Sequence, residues 1–228
     1  MYNDGMTTGY EIRVCDSCGL RYPLVQEHPH GTRCPVCMGG TRVLLSRELI
    51  VEPTRDAMSA NLTPNPSPFR RGELAVLLDN IRSAWNVGSI LRSADGFGFA
   101  HAYLCGISPT PDGPAREAVT KTSLGAEDSV PWSYHKDAVK LVRELKAERW
   151  KVYALEEGSV SVPISQFTNM TSPIPMVLIF GNEITGVDPD LLDLCDEIFY
   201  IPMRGEKKSF NVAMAFSIAA YAITSQRV

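Results

Sequence analysis

Two Cys-x-x-Cys pairs, Cys15/Cys18 and Cys34/Cys37, with fifteen residues between Cys18 and Cys34, decide how the beginning of this chain can fold. Four thiolates at that spacing can close a tetrahedral site from two short knuckles, and so small a segment buries too little apolar surface to hold together without metal. The spacing predicts a zinc ribbon, with one structural zinc held by Cys15, Cys18, Cys34 and Cys37. Gly19 and Pro35 beside the pairs argue against four unrelated thiols. His28 and His30 lie between the pairs and could replace a cysteine; with four thiolates available they read as surface residues. Cys105, in AYLCG, and Cys195, in LLDLCDEI, lie in apolar surroundings and read as packed thiols rather than nucleophiles.

A chain of 228 residues holds one full domain plus a small one. It contains no apolar run of about 18 residues, and its N-terminus lacks the basic-then-apolar pattern of a signal peptide. The expectation is a cytoplasmic protein with no membrane partner, in a compartment where cysteine pairs bind metal more often than they form disulfides. The formal net charge of −4 is unevenly spread: residues 1–72 carry eight Lys/Arg against seven Asp/Glu, and the remainder fourteen against nineteen. A basic stripe for wrapping long duplexes is therefore excluded. Two local basic clusters remain, Arg70-Arg71 and the loop with Arg204, Lys207 and Lys208.

The composition divides the chain into a ribbon over 1–52, a linker over 53–72 and an α/β domain over 73–228. Thr41 to Val51 reads as a strand or short helix finishing the ribbon. Residues 53–72 contain four prolines with Asn, Ser and Thr and no periodicity, which predicts an extended linker. From there, Leu74–Leu78, Ala102–Cys105, Lys151–Leu155, Met176–Phe180 and Glu197–Ile201 are short apolar runs of buried parallel strands. Val87–Phe97, Lys136–Arg149 and Asn211–Ser225 fit helices between them. In the second, Ala138, Val142, Leu145 and Arg149 recur at three and four residues. The third is apolar almost all round and must be buried, against another subunit if not within the chain. The alternation gives a sheet with helices on both faces.

Ligands of such sheets bind at the carboxyl ends of the strands. Three segments there are rich in Gly, Asn and charge: Asp79 to Arg92, Phe180 to Val187, and Ile201 to Gly205 followed by Ser209-Phe210-Asn211-Val212. Each residue has a plain structural use. Asn86 or Ser209 suits a helix N-cap, Gly181 and Gly186 suit turns, Glu183 a solvated loop and Arg92 a solvated helix face. Together they specify a site with amide side chains, a carboxylate and a cation, and no Ser-His or Cys-His nucleophile. The glycine spacing matches neither a P-loop nor a G-x-G-x-x-G fingerprint, which disfavours ATP and NAD.

The three segments, in this order, resemble the three motifs of the SpoU/TrmH-type RNA ribose 2′-O-methyltransferases of the SPOUT superfamily. The resemblance runs from about Leu74 to the C-terminus. It is carried by Asn86-Val87-Gly88-Ser89-Ile90-x-Arg92, by Gly181-Asn182-Glu183-x-x-Gly186, and by Ile201-Pro202-Met203 with Ser209-x-Asn211-Val212. Lys121-Thr122-Ser123-Leu124-Gly125-Ala126-Glu127 is similar to a segment found in one branch of the family.

The resemblance implies an α/β SPOUT-type sheet with a C-terminal trefoil knot, a homodimer, and S-adenosylmethionine bound in the knot. It assigns Gly181, Ile201 and Phe210 to the methyl donor, the family usually having Leu at the last position. It places Asn86, Arg92, Glu183, Ser209 and Asn211 around the reacting centre. Arg92 stands where the family has its proposed base. A guanidinium stays protonated in proteins, so an electrostatic clamp on phosphate and developing alkoxide is the alternative. The implied activity is donor-dependent 2′-O-methylation of structured tRNA or rRNA. A non-catalytic RNA-binding or ribosome-associated factor on the same fold is the alternative, and a ribbon fused to a nucleotide-binding domain would need a phosphate loop that the sequence lacks.

Overall fold

The computed structural model describes residues 8–25, 32–49, 74–167, 174–207 and 209–225. The expected linker with Arg70-Arg71, together with His28, His30 and Lys208, lies outside them. The chain forms two compact units, Met1–Met58 and Ser59–Val228.

In the first unit, β1 (Thr8–Cys15) is the central strand between β2 (Arg21–Val25) and β3 (Thr41–Leu49), all antiparallel. The segment read as strand or helix after the second cysteine pair is thus a strand. Tyr10 and Ile12 are buried with Val25 and Leu45 against them, a core of only a few side chains. Arg13 is buried on β1, where it pairs with Glu11 and donates from Nε to Thr41 Oγ1 at 2.8 Å and from a terminal nitrogen to Thr41 O at 2.9 Å.

The second unit begins with β4 (Leu74–Asp79), α1 (Ala84–Gly96) and β5 (His101–Cys105). Then come α2 (Arg116–Ser123), α3 (Ala126–Ser129), β6 (Trp132–His135), α4 (Ala138–Ala147) and β7 (Lys151–Leu155). It ends with β8 (Val162–Pro163), β9 (Met176–Phe180), α5 (Pro189–Leu192), β10 (Glu197–Tyr200) and α6 (Val212–Thr224). Seven strands form one parallel sheet in the order β6-β5-β4-β9-β7-β10-β8. The five apolar runs expected as strands are all present.

Period-two alternation sends successive residues to opposite faces. Val76, Leu78, Leu104, Leu178 and Phe180 pack under α1 and α6, while Ala75, Leu77, Tyr103, Val177 and Ile179 pack under α4 and α5. Both faces are covered, so the strands read as continuous apolar runs. Phe216 anchors α6, fully buried with its ring edge-on to Phe99 at 5.1 Å and to Phe180 at 5.4 Å. Truncating such a ring costs about 3–5 kcal/mol.

Within the chain α6 is buried on one face only, through Phe216, Ala219, Ala220 and Ile223, while Met214 is 58% and Tyr221 65% exposed. Two expectations need correction. α4 stops at Ala147, and Arg149, expected on its buried stripe, is exposed beyond the helix end with φ +67°. The caps also differ. Ser83, rather than Asn86, caps α1 by accepting from Asn86 N–H, and Asn211, rather than Ser209, caps α6 by accepting from Ala213 N–H at 2.9 Å.

Candidate active site

The four cysteines of the first unit converge. Their Sγ atoms all lie within 4.8 Å of one another, with Cys15 to Cys37 at 3.4 Å and Cys18 to Cys34 at 3.7 Å. A tetrahedral zinc with Zn–S bonds of about 2.3 Å places its sulfurs about 3.8 Å apart, so the donor set fits zinc. Each knuckle turns on a left-handed residue just after its second cysteine, Gly19 at φ +72° and Met38 at φ +59°. The turns close through Gly19 N–H to Cys15 O and Met38 N–H to Cys34 O. Cys105 and Cys195 stand apart; burial pushes the Cys105 thiol well up and that of Cys195 up to about 12, as expected of packed thiols.

In the second unit the strand ends build a cavity of about 560 Å³, within the range of small-molecule sites. The loops after β7, β9 and β10 line it, and Gly181, Glu183, Ile201, Ser209, Phe210 and Asn211 all contribute. Its floor is apolar, with Leu155, Phe180 and Val212, and Glu156 and Glu157 stand at its wall.

The β9 loop owes its shape to two residues. Gly181 admits no side chain, since a Cβ there would lie 2.1 Å from Val187 N and 2.2 Å from Gly186 C. Asn182 is buried; its backbone exchanges two hydrogen bonds with Gly186, and its Oδ1 accepts from Ile184 and Thr185 N–H at 2.9 and 3.2 Å. Its Nδ2 donates to Asn80 O at 2.7 Å, tying the loop to the end of β4. There Asp79 accepts from Asn80 Nδ2 and from Asp188 N–H, and Asn80 Oδ1 accepts from Ile107 N–H after β5. Sequence reasoning assigned no role to Asn182, Asp79 or Asn80. Their signal was adjacency to the motifs, with buried polar side chains that require partners.

Glu183 reaches back to the start of α1. Its carboxylate accepts from Arg82 N–H at 2.8 Å, Ser83 N–H at 3.1 Å and Asn86 Nδ2 at 2.9 Å. A carboxylate is favoured at that end of a helix, where backbone N–H groups lack partners. Asn86 Oδ1 then accepts from Asn211 Nδ2 at 3.0 Å. One hydrogen-bonded chain, Glu183 to Asn86 to Asn211, thus joins the three sequence motifs.

Glu156 holds the loop from the other side. Val187 N–H donates to its Oε2 at 2.9 Å, and a Cβ on Gly186 would lie 2.7 Å from that oxygen. Burial raises its pKa against the opposing pull of two backbone N–H groups. Arg92 does not join the cavity. It is exposed on α1, six residues beyond Asn86 and on another side of the helix, with no hydrogen bond or ion pair among the described residues.

The model of the SpoU rRNA Methylase family matches residues 73–221. Among curated proteins the chain is 30% identical over 159 residues to a tRNA (guanosine(18)-2′-O)-methyltransferase of Thermus thermophilus, covering 70% of this chain and 78% of the relative. It is 35% identical over 153 residues to the 23S rRNA (guanosine(2553)-2′-O)-methyltransferase RlmP of Bacillus subtilis, covering 64% of this chain and 56% of that one. Among solved structures, the SpoU methyltransferase AviRb of Streptomyces viridochromogenes in complex with AdoMet is similar with a TM-score of 0.63 at 28% identity, over 70% of this chain and 60% of that one. The TrmH/SpoU tRNA modifying enzyme of A. aeolicus gives 0.60 at 27% identity, over 69% and 77%.

Proposed function

The chain belongs to the SpoU rRNA Methylase family, and on that premise we propose that it transfers the methyl group of S-adenosylmethionine to a ribose 2′-hydroxyl of a structured tRNA or rRNA. The observation that carries this reading is the hydrogen-bonded chain Glu183–Asn86–Asn211, whose two ends line a cavity to which Gly181, Ile201, Ser209 and Phe210 also contribute.

The cavity's size and its apolar lining, with Leu155, Phe180 and Val212, support a donor that carries a base, and the residues that follow β9 and β10, Gly181 and Ile201, line it as well. S-adenosylmethionine, when bound, supplies a methyl group activated by a sulfonium. Gly181, Ile201 and Phe210 hold it, mainly through the backbone, so Phe210 in place of the family's Leu leaves these contacts possible. The C-terminal motif segments are read as the trefoil knot of the fold.

The protein's own contribution is alignment. A hydroxyl attacking a methyl carbon needs a fixed line of approach, and positioning of that kind supplies much of an enzymatic rate. Asn86, clamped between Glu183 and Asn211, cannot rotate its amide without losing two hydrogen bonds, so it offers the ribose an oriented partner; Ser209 adds a hydroxyl to the cavity lining. Arg92 lies outside the cavity lining, exposed on α1, and its proposed part is that of a permanent cation reaching from there to the phosphate next to the target ribose and to the oxygen where negative charge develops. As its oxygen takes the methyl group, the 2′-hydroxyl would lose its proton to solvent, and the methyl–sulfur bond would break with its electron pair left on the sulfur of the departing thioether.

Residues 1–52 are the zinc ribbon, 53–72 the linker and 73–228 the methyltransferase domain. A homodimer covers the exposed Met214 and Tyr221, which lie seven residues apart on one face of α6. No helix among the described residues is long and apolar enough to cross a membrane, and a tRNA or rRNA substrate supports the reading of a cytoplasmic enzyme.

The test is transfer of labelled methyl from S-adenosylmethionine to total RNA from cells lacking the gene, with ribose methylations mapped in both strains. One site lost in the mutant and restored in vitro is expected. Donor binding without transfer to any RNA would favour the non-catalytic factor.

A further inference from the structure

The segment from Lys121 to Glu127 belongs to none of the loops around the cavity, yet it is built against the residue that precedes Asn86. α2 meets α1 at close range: a Cβ on Gly88 would lie 2.1 Å from Thr122 Oγ1 and 2.2 Å from Val119 O. Thr122 Oγ1 donates to Trp85 O at 3.0 Å. The turn after α2 is itself held, with Leu124 left-handed at φ +52° and Glu127 accepting from Gly125 N–H at 3.0 Å and from the Ser123 hydroxyl.

Backbone and small-residue contacts therefore join the two helices, and the Trp85 indole is not needed to cement them. The ring stays 48% exposed, a large apolar surface left in water beside the catalytic chain of amides. Lys121 Nζ stands 5.2 Å from the ring centroid, within cation–π range. The ammonium orders the ring from one face and puts a positive charge beside the surface that a base would meet. Sequence reading singled out both the Lys121 segment and the helix start at Asn86; the structure shows that they form one surface.

An exposed indole next to a cation is the chemistry that receives an unstacked nucleobase and its phosphate. Bases stack on aromatic faces whatever their identity, while Lys meets the backbone. A base inside a duplex has no free face to offer. We propose that Trp85 and Lys121 form a stacking platform for an unpaired RNA nucleotide next to the ribose that is methylated, so that the enzyme takes its target from a loop, bulge or strand end. The inference rests on the reading of the chain as an RNA 2′-O-methyltransferase.

Indole fluorescence tests it in the full-length protein. Of three tryptophans, Trp150 is 4% exposed and Trp132 is partly buried, so the signal that W85F removes is that of Trp85. The probes are a short single-stranded oligoribonucleotide and the same strand annealed to its complement, with S-adenosylmethionine binding measured in parallel by calorimetry. The single strand should quench Trp85 and the duplex should not. W85A should weaken single-strand binding about five- to a hundredfold, W85F should restore most of it, and K121M should lower the salt slope by about one contact. All variants should bind the donor as the wild type does. Wild-type quenching requires no variant to fold, and its absence when the single strand binds overturns the platform alone. Equal binding by W85A, or a W85A defect confined to subunit association, overturns it as well. A wild type that binds the donor but neither RNA probe overturns the platform and counts against the RNA reading; failure to bind the donor removes the functional reading beneath it.

Discussion

Asn211 Nδ2 donates to Asn86 Oδ1 at 3.0 Å across 125 residues of chain, and the same Asn211 caps α6 through its Oδ1. One side chain therefore starts the last helix and orients the amide proposed to hold the ribose. The two duties can be separated by chemistry.

Asn211→Asp keeps an oxygen for the cap but has no amide N–H to give Asn86. Its thermal stability should stay near wild type, while turnover falls by about 10²-fold, the scale of a lost alignment. Asn211→Ala should lose both functions, with about 1 kcal/mol from the missing cap. Asn86→Ala combined with Asn211→Asp should be little worse than Asn86→Ala alone, since the amide of Asn211 acts on the ribose through Asn86. Single-turnover rates and thermal melts check all three.

Arg92→Lys keeps a charge and loses the planar fork that can grip two oxygens together, so turnover should drop severely. Arg92→Ala should be worse. Both should bind S-adenosylmethionine normally, because Arg92 lies outside the cavity lining. If Arg92 serves as the base instead, the wild-type rate will rise with pH through a titration that disappears in Arg92→Lys. Near-normal turnover of Arg92→Ala would leave it a solvated helix arginine.

Elemental analysis should find one zinc per chain, and a chelator should unfold the first unit, whose apolar core is small. Deleting residues 1–52 should leave donor binding intact while weakening RNA binding, because every cavity residue lies in the second unit. Calorimetry on the truncated protein decides; a folded truncate that cannot bind the donor would contradict the division.

His101 is 2% exposed, and burial, aided by the nearby His135, lowers its pKa from 6.5 to about 4. The unfolded chain takes up the proton first. The stabilisation from keeping His101 neutral is therefore complete above about pH 6.5, declines as pH falls, and is gone below about pH 4. The loss attributable to this residue is about 3 kcal/mol. Urea unfolding at pH 7, 5 and 4 should show it, and H101N should flatten the slope if its amide keeps the contact with Ser133 Oγ, which His101 Nε2 makes at 2.9 Å.

The buried strands were legible because two covered faces make each a continuous apolar run, as in Met176–Phe180. β6 was missed: Trp132-Ser133-Tyr134-His135 is a four-residue edge strand with polar residues on its inner face. α2 was missed because Arg116–Ser123 buries only Val119 and Ser123 and so carries no apolar stripe. β8 is two residues long and contains Pro163. At the site, the motif segments come together at one cavity, as their place at the strand ends led one to expect, but which residue caps each helix was not legible. Ser83 and Asn86 both suit an N-cap, and the choice between them involves a carboxylate about a hundred residues away.

β9 lies between β4 and β7, both of which precede it in the chain. A nascent polypeptide halted before Met176 would lack the strand that bridges the two halves of the sheet, and with it Glu183, whose carboxylate shapes the entry to α1. Synthesis order therefore sets the order of assembly: the ribbon and the strands from β4 to β7 can emerge first, and the carboxylate that holds the start of α1 arrives only with the loop after β9.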